Sequence, residues 1–320
     1  MGRQIHLNTR SRRTTDSEGV SRLIGYAWMS IAILIWASWL VLTSSGVTTD
    51  LATVDLAGLR ALVPAVVLAP LLWRHRQDIA QLGPGKILLL SVYGAPFTLC
   101  VGYGLSYAPV AHAGAMVPSL MPVVVTAVGF LVLGQHISAP QLLSAVLILL
   151  GVSTIVFQLS NGSVVDQVWI GHVLFLFGAG FWASFTLTLR CRAIPPFLAT
   201  GIVAAVSAIG LAPIWALSGL SSMGAASTAD VAFQFFFQGV VTGLVSLYAF
   251  GEALRRLGLV ATRLSALTPA VAALLATPIL SQVPQKIEVA ALGLVVAGLL
   301  IASMPIGSAQ SPKSKPILQR

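Results

Sequence analysis

Few side chains in this 320-residue chain could do chemistry, and most of them sit inside or beside long apolar runs. Arg60 lies about seven residues into one such run, roughly 10 Å along a helix at 1.5 Å per residue. A charge that deep must be paired or face water. Arg60 could bind a substrate carboxylate, or it could cap carbonyls of a neighbouring helix or snorkel outward. Asp55, five positions earlier, is about 140° around the same helix and makes a poor direct partner. Trp36, Trp39 and Trp182 sit toward the middle or far ends of their runs rather than at the boundaries where interfacial Trp belts form. With Tyr103, Tyr107 and Tyr248, Trp36 and Trp182 could line a central cavity, an indole offering a flat apolar face and one N–H donor; packing between helices is the other reading.

Groups able to exchange a proton within the membrane are few, chiefly Asp55, His112 and Glu252. His112 could titrate near neutral pH, although a lone His at a helix end is more often a hydrogen-bonding residue. Glu252 precedes Arg255 and Arg256 by three and four residues, spacing that favours intrahelical ion pairs. All three are expected near span ends where water reaches them, which predicts weak proton coupling or facilitated movement down a substrate gradient. Cys100 and Cys191 should lie at different depths and stay free thiols. No CxxC or Cys/His cluster offers a metal site, no cofactor is implied, and GxSxG, HExxH and paired intramembrane acids are absent from the sequence, so the chain does not read as an enzyme.

The elements that must position these residues follow from composition. Hydrophobic residues make up 57% and charged residues 8%, against about 45–50% and about 25% in soluble domains. The chain is expected to use lipid as its solvent. Runs of about 20 apolar residues, enough to cross roughly 30 Å of hydrocarbon, fall at 23–46, 53–73, 86–107, 110–133, 139–158, 169–189, 197–218, 231–253, 259–280 and 287–304. The predicted fold is an all-α integral membrane protein of ten transmembrane helices. The first run exceeds a signal-peptide h-region and is expected to remain as an uncleaved anchor. With the N-terminus inside, fifteen of the 18 Lys and Arg fall on cytoplasmic segments, as the positive-inside rule requires, and both termini are cytoplasmic. The net charge of +9 is therefore topological. Partners are the lipid bilayer and a small-molecule substrate, with nucleic acid set aside and a homodimer left open.

The chain also matches itself. Ile24 to Trp39 aligns with Ile170 to Phe185, pairing Gly25 with Gly171, Trp36 with Trp182 and Ser38 with Ser184. Ala115 to Gln135 aligns with Thr262 to Gln282 at a shift of 147 residues, pairing Pro122 with Pro269, Gln135 with Gln282 and Gly151 with Gly298. Five spans per half is an odd number, so the second copy is inverted and the halves are expected to exchange about an axis in the membrane plane. The expected organisation is a basic tail at 1–22, a first five-helix repeat at 23–158, an outer linker at 159–168, a second repeat at 169–304 and a tail at 305–320. Pro122 and Pro269 would kink matched helices and could act as paired hinges, or simply shape packing.

These features resemble the EamA family of the drug/metabolite transporter superfamily: two five-span halves, Trp-Ala-Ser in the first span of each, an Arg in span 2 and a Pro-containing fourth span. The resemblance covers about residues 23–304. It implies a carrier in a bacterial inner membrane, exporting an amino acid or related metabolite by alternating access. A lipid or lipid-precursor flippase could use the same bundle. One departure is Leu133-Gly134-Gln135, where family members commonly have Leu-Gly-Glu.

Overall fold

A computed structural model describes residues 5–44, 50–132, 134–158, 167–192, 194–217 and 219–304. The side chains of 5–18, 158, 190–192, 216, 259, 262 and 263 lie outside that description, and with them the reading on Cys191. The tail at 305–320 and most of the linker at 159–168 lie outside it as well. Among the described residues the chain is helical, with turns and no strand.

Helix covers every one of the ten apolar stretches. In order these are α1 (Ile5–Thr43), α2 (Thr53–Val67), α3 (Ala69–Arg74), α4 (Arg76–Leu82), α5 (Pro84–Ser91), α6 (Ala95–Tyr107), α7 (Val110–Leu131), α8 (Ala139–Gln158), α9 (Val168–Arg192), α10 (Pro196–Leu217), α11 (Thr228–Gln234), a π-helix (Phe235–Val245), α12 (Ser246–Leu257), α13 (Leu259–Leu264), a 3₁₀ turn (Ser265–Leu267), α14 (Thr268–Leu280) and α15 (Lys286–Ala302). Seven helical stretches among the described residues are long and apolar enough to cross a membrane: Gly19–Thr43, Pro84–Tyr107, Val110–Leu131, Ala139–Phe157, Val168–Leu189, Pro196–Trp215 and Thr228–Leu257. The other three expected spans are helical but shorter or interrupted. The stretch 53–73 breaks at Leu68, where Pro70 removes an N–H and crowds the turn before it. The stretch near 259–280 changes to a 3₁₀ turn before Pro269, and α15 has 17 residues.

The prolines expected to act alike do not share a local structure. Pro122 stands inside the continuous α7, together with Pro118. Pro269 occupies the first turn of α14, where its missing N–H costs nothing. Matched sequence register has produced one interior proline and one helix-starting proline.

Packing pairs helices across the two halves. α1 lies on α12 and α14, α6 and α7 lie on α9, α2 on α10, α7 on α14, and α8 on α15. The α8–α15 contact is built on two glycines. A Cβ on Gly151 would stand 2.7 Å from the Ala291 carbonyl oxygen and 2.8 Å from Val295, and one on Gly298 would stand 2.7 Å from Ile148 and 3.0 Å from the Ser144 carbonyl oxygen. Positions 291 and 295 are 144 and 148 advanced by the 147-residue shift, so the two glycines make the same contact from opposite sides. The loops after α7 and α14 close alike, Gln135 N–H donating to Gly129 O and Gln282 N–H to Ala276 O.

The main core joins Trp39, Phe97, Met116, Phe175, Ala272 and Val295. Leu131, Ile209 and Leu274 are more than 70% exposed, a surface that water would not tolerate in such quantity but lipid does.

Candidate functional site

Arg60 projects from α2 into a cluster of aromatic rings drawn from three other helical stretches. Its guanidinium carbon lies 4.4 Å from the centroid of the Trp39 ring, a cation–π contact. Trp39 stacks on Phe97 at 5.7 Å. Tyr93, held in the turn between α5 and α6, lies within electrostatic reach of Arg60 and packs on Phe97 at 4.7 Å, Phe185 at 4.5 Å and Trp182 at 6.0 Å. That turn exists because Gly94 adopts a non-helical backbone (φ −80°, ψ −114°) ahead of Pro96 in the first turn of α6. The break sets Tyr93 and Phe97 against Trp182 and Phe185 of α9. Two buried donors, Arg60 Nη1 and Trp39 Nε1, have no hydrogen-bond partner among the described residues. A buried donor without a partner costs about 1–3 kcal/mol, more when charged, and this pair stands together in an aromatic setting. The arrangement suits a ligand with a carboxylate for the guanidinium and an apolar body for the rings.

Of the residues picked out from sequence, Arg60 and Trp182 are brought together here. Trp36 is not in the cluster; it packs on Phe250 at 5.2 Å in the α1–α12 contact, beside Met29, Ala249 and Ala253. Tyr248 is 49% exposed and meets Trp28 edge-on at 5.4 Å. Tyr103 is exposed and Tyr107 half-buried on α6, and neither joins the rings around Arg60. Trp39, Tyr93, Phe97 and Phe185 stand in their place. Trp36, Tyr103, Tyr107 and Tyr248 lie apart from this cluster because a helix position says depth but not direction, and successive aromatic positions on α1 face different neighbours.

The three groups proposed to exchange protons also differ in setting. Asp55 is fully buried, contrary to the expectation of water access. It sits in the first turn of α2, where an acid is favoured by the helix N-terminus. Its carboxylate accepts from Ser221 Oγ at 2.6 Å, from Ser222 N–H at 2.9 Å and from Ala52 N–H at 3.2 Å. This ties the start of α2 to the segment ahead of α11 and is not a pair with Arg60. Asp55→Ala is expected to lower stability by about 2–4 kcal/mol, since it strands several donors in one buried cap, read as an earlier unfolding midpoint in detergent. Glu252 accepts from Arg255 at 2.8 Å and from Arg256 at 3.2 Å, the intrahelical pairs that its spacing suggested.

His112 is neither alone nor wet. It is 2% exposed, its Nδ1 stands 3.0 Å from His172 Nε2, and its Nε2 stands 3.0 Å from Glu288 Oε1. The three residues lie within the first five positions of α7, α9 and α15. Sequence reading passed over His172 and Glu288; the available signal was that all three fall at the same depth if the ten spans alternate in direction. Among the described residues no group of His, Cys, Asp and Glu could hold a metal ion.

Residues 23–157 match the model of the EamA-like transporter family. One crystal structure shares the fold at a TM-score of 0.53 and 17% identity, covering 89% of this chain and 96% of that one. No curated protein matches. The likeness spans both halves, while the family match falls on the first.

Proposed function

We propose, from the premise that this multi-pass membrane protein carries an EamA-like transporter fold, that it is a secondary carrier and that its substrate is a small carboxylate with an apolar body, an amino acid or close relative. The observation that carries the reading is the buried guanidinium of Arg60, stacked on Trp39 and without an acid partner among the described residues. Removing a cation of this kind from water is costly, and a bound carboxylate offsets that cost through two charge-assisted hydrogen bonds. Trp182, Tyr93 and Phe185 would take the apolar body.

Alternating access is the mechanism proposed. The chain is taken to cross the membrane ten times in two inverted halves, and the pairing of helices supports this. Exchanging halves turns the α1–α12 contact into α9–α6 and the α1–α14 contact into α9–α7, while α2–α10, α7–α14 and α8–α15 map onto themselves. An outward-open form would then be the inward-open form with the halves swapped. The direction proposed is export across a bacterial inner membrane.

Proteoliposomes loaded with amino acids of graded side-chain size, and with the matching acids lacking the amine, test the reading. Saturable efflux of an apolar or aromatic member supports it. Lipid scrambling without solute efflux would favour a flippase, and neither activity would sink both. Topology has its own test. A C-terminal fluorescent-protein fusion is expected to glow and an alkaline phosphatase fusion at the same place to stay silent, because fifteen of 18 basic residues fall on the inner segments; the reverse pattern removes the ten-span count.

A further inference from the structure

We propose that His112, His172 and Glu288 form a site for a single proton that, when occupied, locks together the ends of the helices bearing them. The three side chains make one unbroken line, with His112 in the middle using both ring nitrogens at 3.0 Å. Glu288 Oε2 is held by the Gln285 N–H at 2.7 Å, which fixes the carboxylate toward His112. Because both nitrogens of the central ring are engaged, the three groups do not converge on a point, and the geometry suits a proton rather than a metal.

The proton count follows from what each ring can donate. Without an added proton, His172 Nε2–H donates to His112 Nδ1, and His112 Nε2–H donates to the Glu288 carboxylate. The cluster then carries one negative charge in a largely buried place, which costs desolvation. One added proton enters at His172 Nδ1, and transfer of the Nε2 proton from His172 leaves His112 as an imidazolium donating to both neighbours. No hydrogen bond is lost, and the net charge falls to zero. A second proton has to occupy the Glu288 carboxylate or make both rings cationic beside three helix N-termini, whose partial positive charge opposes it. The site therefore takes one proton, shared by the three groups.

Other ionisable groups on the surrounding helices are few. α6 brings Tyr103 and Tyr107 in its last turns and Cys100 nearer its middle, α9 carries Arg190, Cys191 and Arg192 at its far end, α13 carries Arg263, α15 brings Lys286 two residues before Glu288, and α8 and α14 bring none. α5 and α1 carry Lys86, Arg22 and Tyr26 toward their other ends, with Asp50 and Asp55 belonging to the separate cap on α2. Parting of α7, α9 and α15 would admit water, rehydrate Glu288 and release the proton. Low pH thus favours the closed end and high pH the open one. On the ten-span topology that end faces the outside, so the lock would gate outward opening; this placement alone rests on the carrier reading.

Hydrogen exchange on the full chain in lipid nanodiscs tests the lock. Peptides spanning the first turns of α7, α9 and α15 are compared at about pH 6 and about pH 8.5 after correction for the intrinsic rate. The expected result is protection about tenfold higher at the lower pH in the native chain, with the difference lost in both Glu288→Gln and His172→Gln. Equal protection at the two pH values, or a difference that persists in either variant, overturns the proposal. As a check that needs no substitution, ¹⁵N spectra of the imidazole nitrogens should show His112 and His172 moving together in one pH step; independent steps, or none, overturn it. Neither measurement involves a transported solute, so the lock and the carrier reading can fail separately.

Discussion

Replacing Arg60 with Met is expected to weaken substrate binding by about 100-fold, from roughly 3 kcal/mol of lost charge-assisted hydrogen bonding at a desolvated site, and to raise the thermal stability of the protein. The two effects have one cause. Arg60 Nη1 is buried without a partner among the described residues, so the folded, substrate-free protein bears a desolvation cost that is offset only in part, by Tyr93 at the same guanidinium and by about 0.5–2 kcal/mol from the cation–π contact with Trp39. Met fills a similar volume and removes that cost, as apolar replacements of buried charges commonly do. Lys would keep the charge but not the planar stack on Trp39, and an intermediate loss of affinity is expected. Intrinsic tryptophan fluorescence reads binding directly, because Trp39 and Trp182 flank the site. If Arg60 instead holds the fold together, Met will lower the melting temperature and leave the affinity of the folded fraction unchanged.

The architecture was far more legible from sequence than the site, and particular residues show why. Helix positions follow from apolar length, which is a sum over about 20 residues and tolerates local error; each of the ten stretches is helical, and seven stretches are long and apolar enough to cross a membrane. Leu68 and Gly94 mark interruptions that hydropathy could not place, although Pro70 and Pro96 beside them carried the signal. Site membership depends on direction around a helix, where one position turns a side chain by about 100°. Trp36 and Trp39 are three residues apart, yet one packs on Phe250 and the other lies beneath Arg60. Arg60 was found because a lone charge in an apolar run is conspicuous. Tyr93 and Phe97 were not, since their role comes from the turn that brings them to α9. The same limit hid the partners of His112: His172 is 60 positions away and Glu288 is 176, so only the packing of three helices brings them together.

Substituting Leu at Gly151 or at Gly298 is expected to destabilise the bundle by about 2–4 kcal/mol in each case, and by similar amounts in the two cases. Overpacking a tight contact ordinarily costs about 1–3 kcal/mol, and here the obstruction includes backbone carbonyls, which cannot rotate away as a side chain can. Even a Cβ would come within 2.7 Å of the Ala291 oxygen at position 151 and within 3.0 Å of the Ser144 oxygen at position 298. Small residues at such crossings allow the close approach on which helix association in lipid depends. Ser144 adds a hydrogen bond to the Gly298 carbonyl at 2.8 Å, which fails if α8 and α15 are driven apart. Equality of the two effects is the informative part. A duplicated bundle whose halves exchange about an axis through this contact presents the same surroundings to both glycines, whereas an accidental resemblance gives no reason for matched costs. Unfolding of each variant in detergent measures the comparison, and a difference beyond about 1 kcal/mol would count against the symmetry. The double substitution places both obstructions in one contact, so its cost should fall short of the sum: once α8 and α15 have separated to admit the first Leu, the second enters a gap already opened.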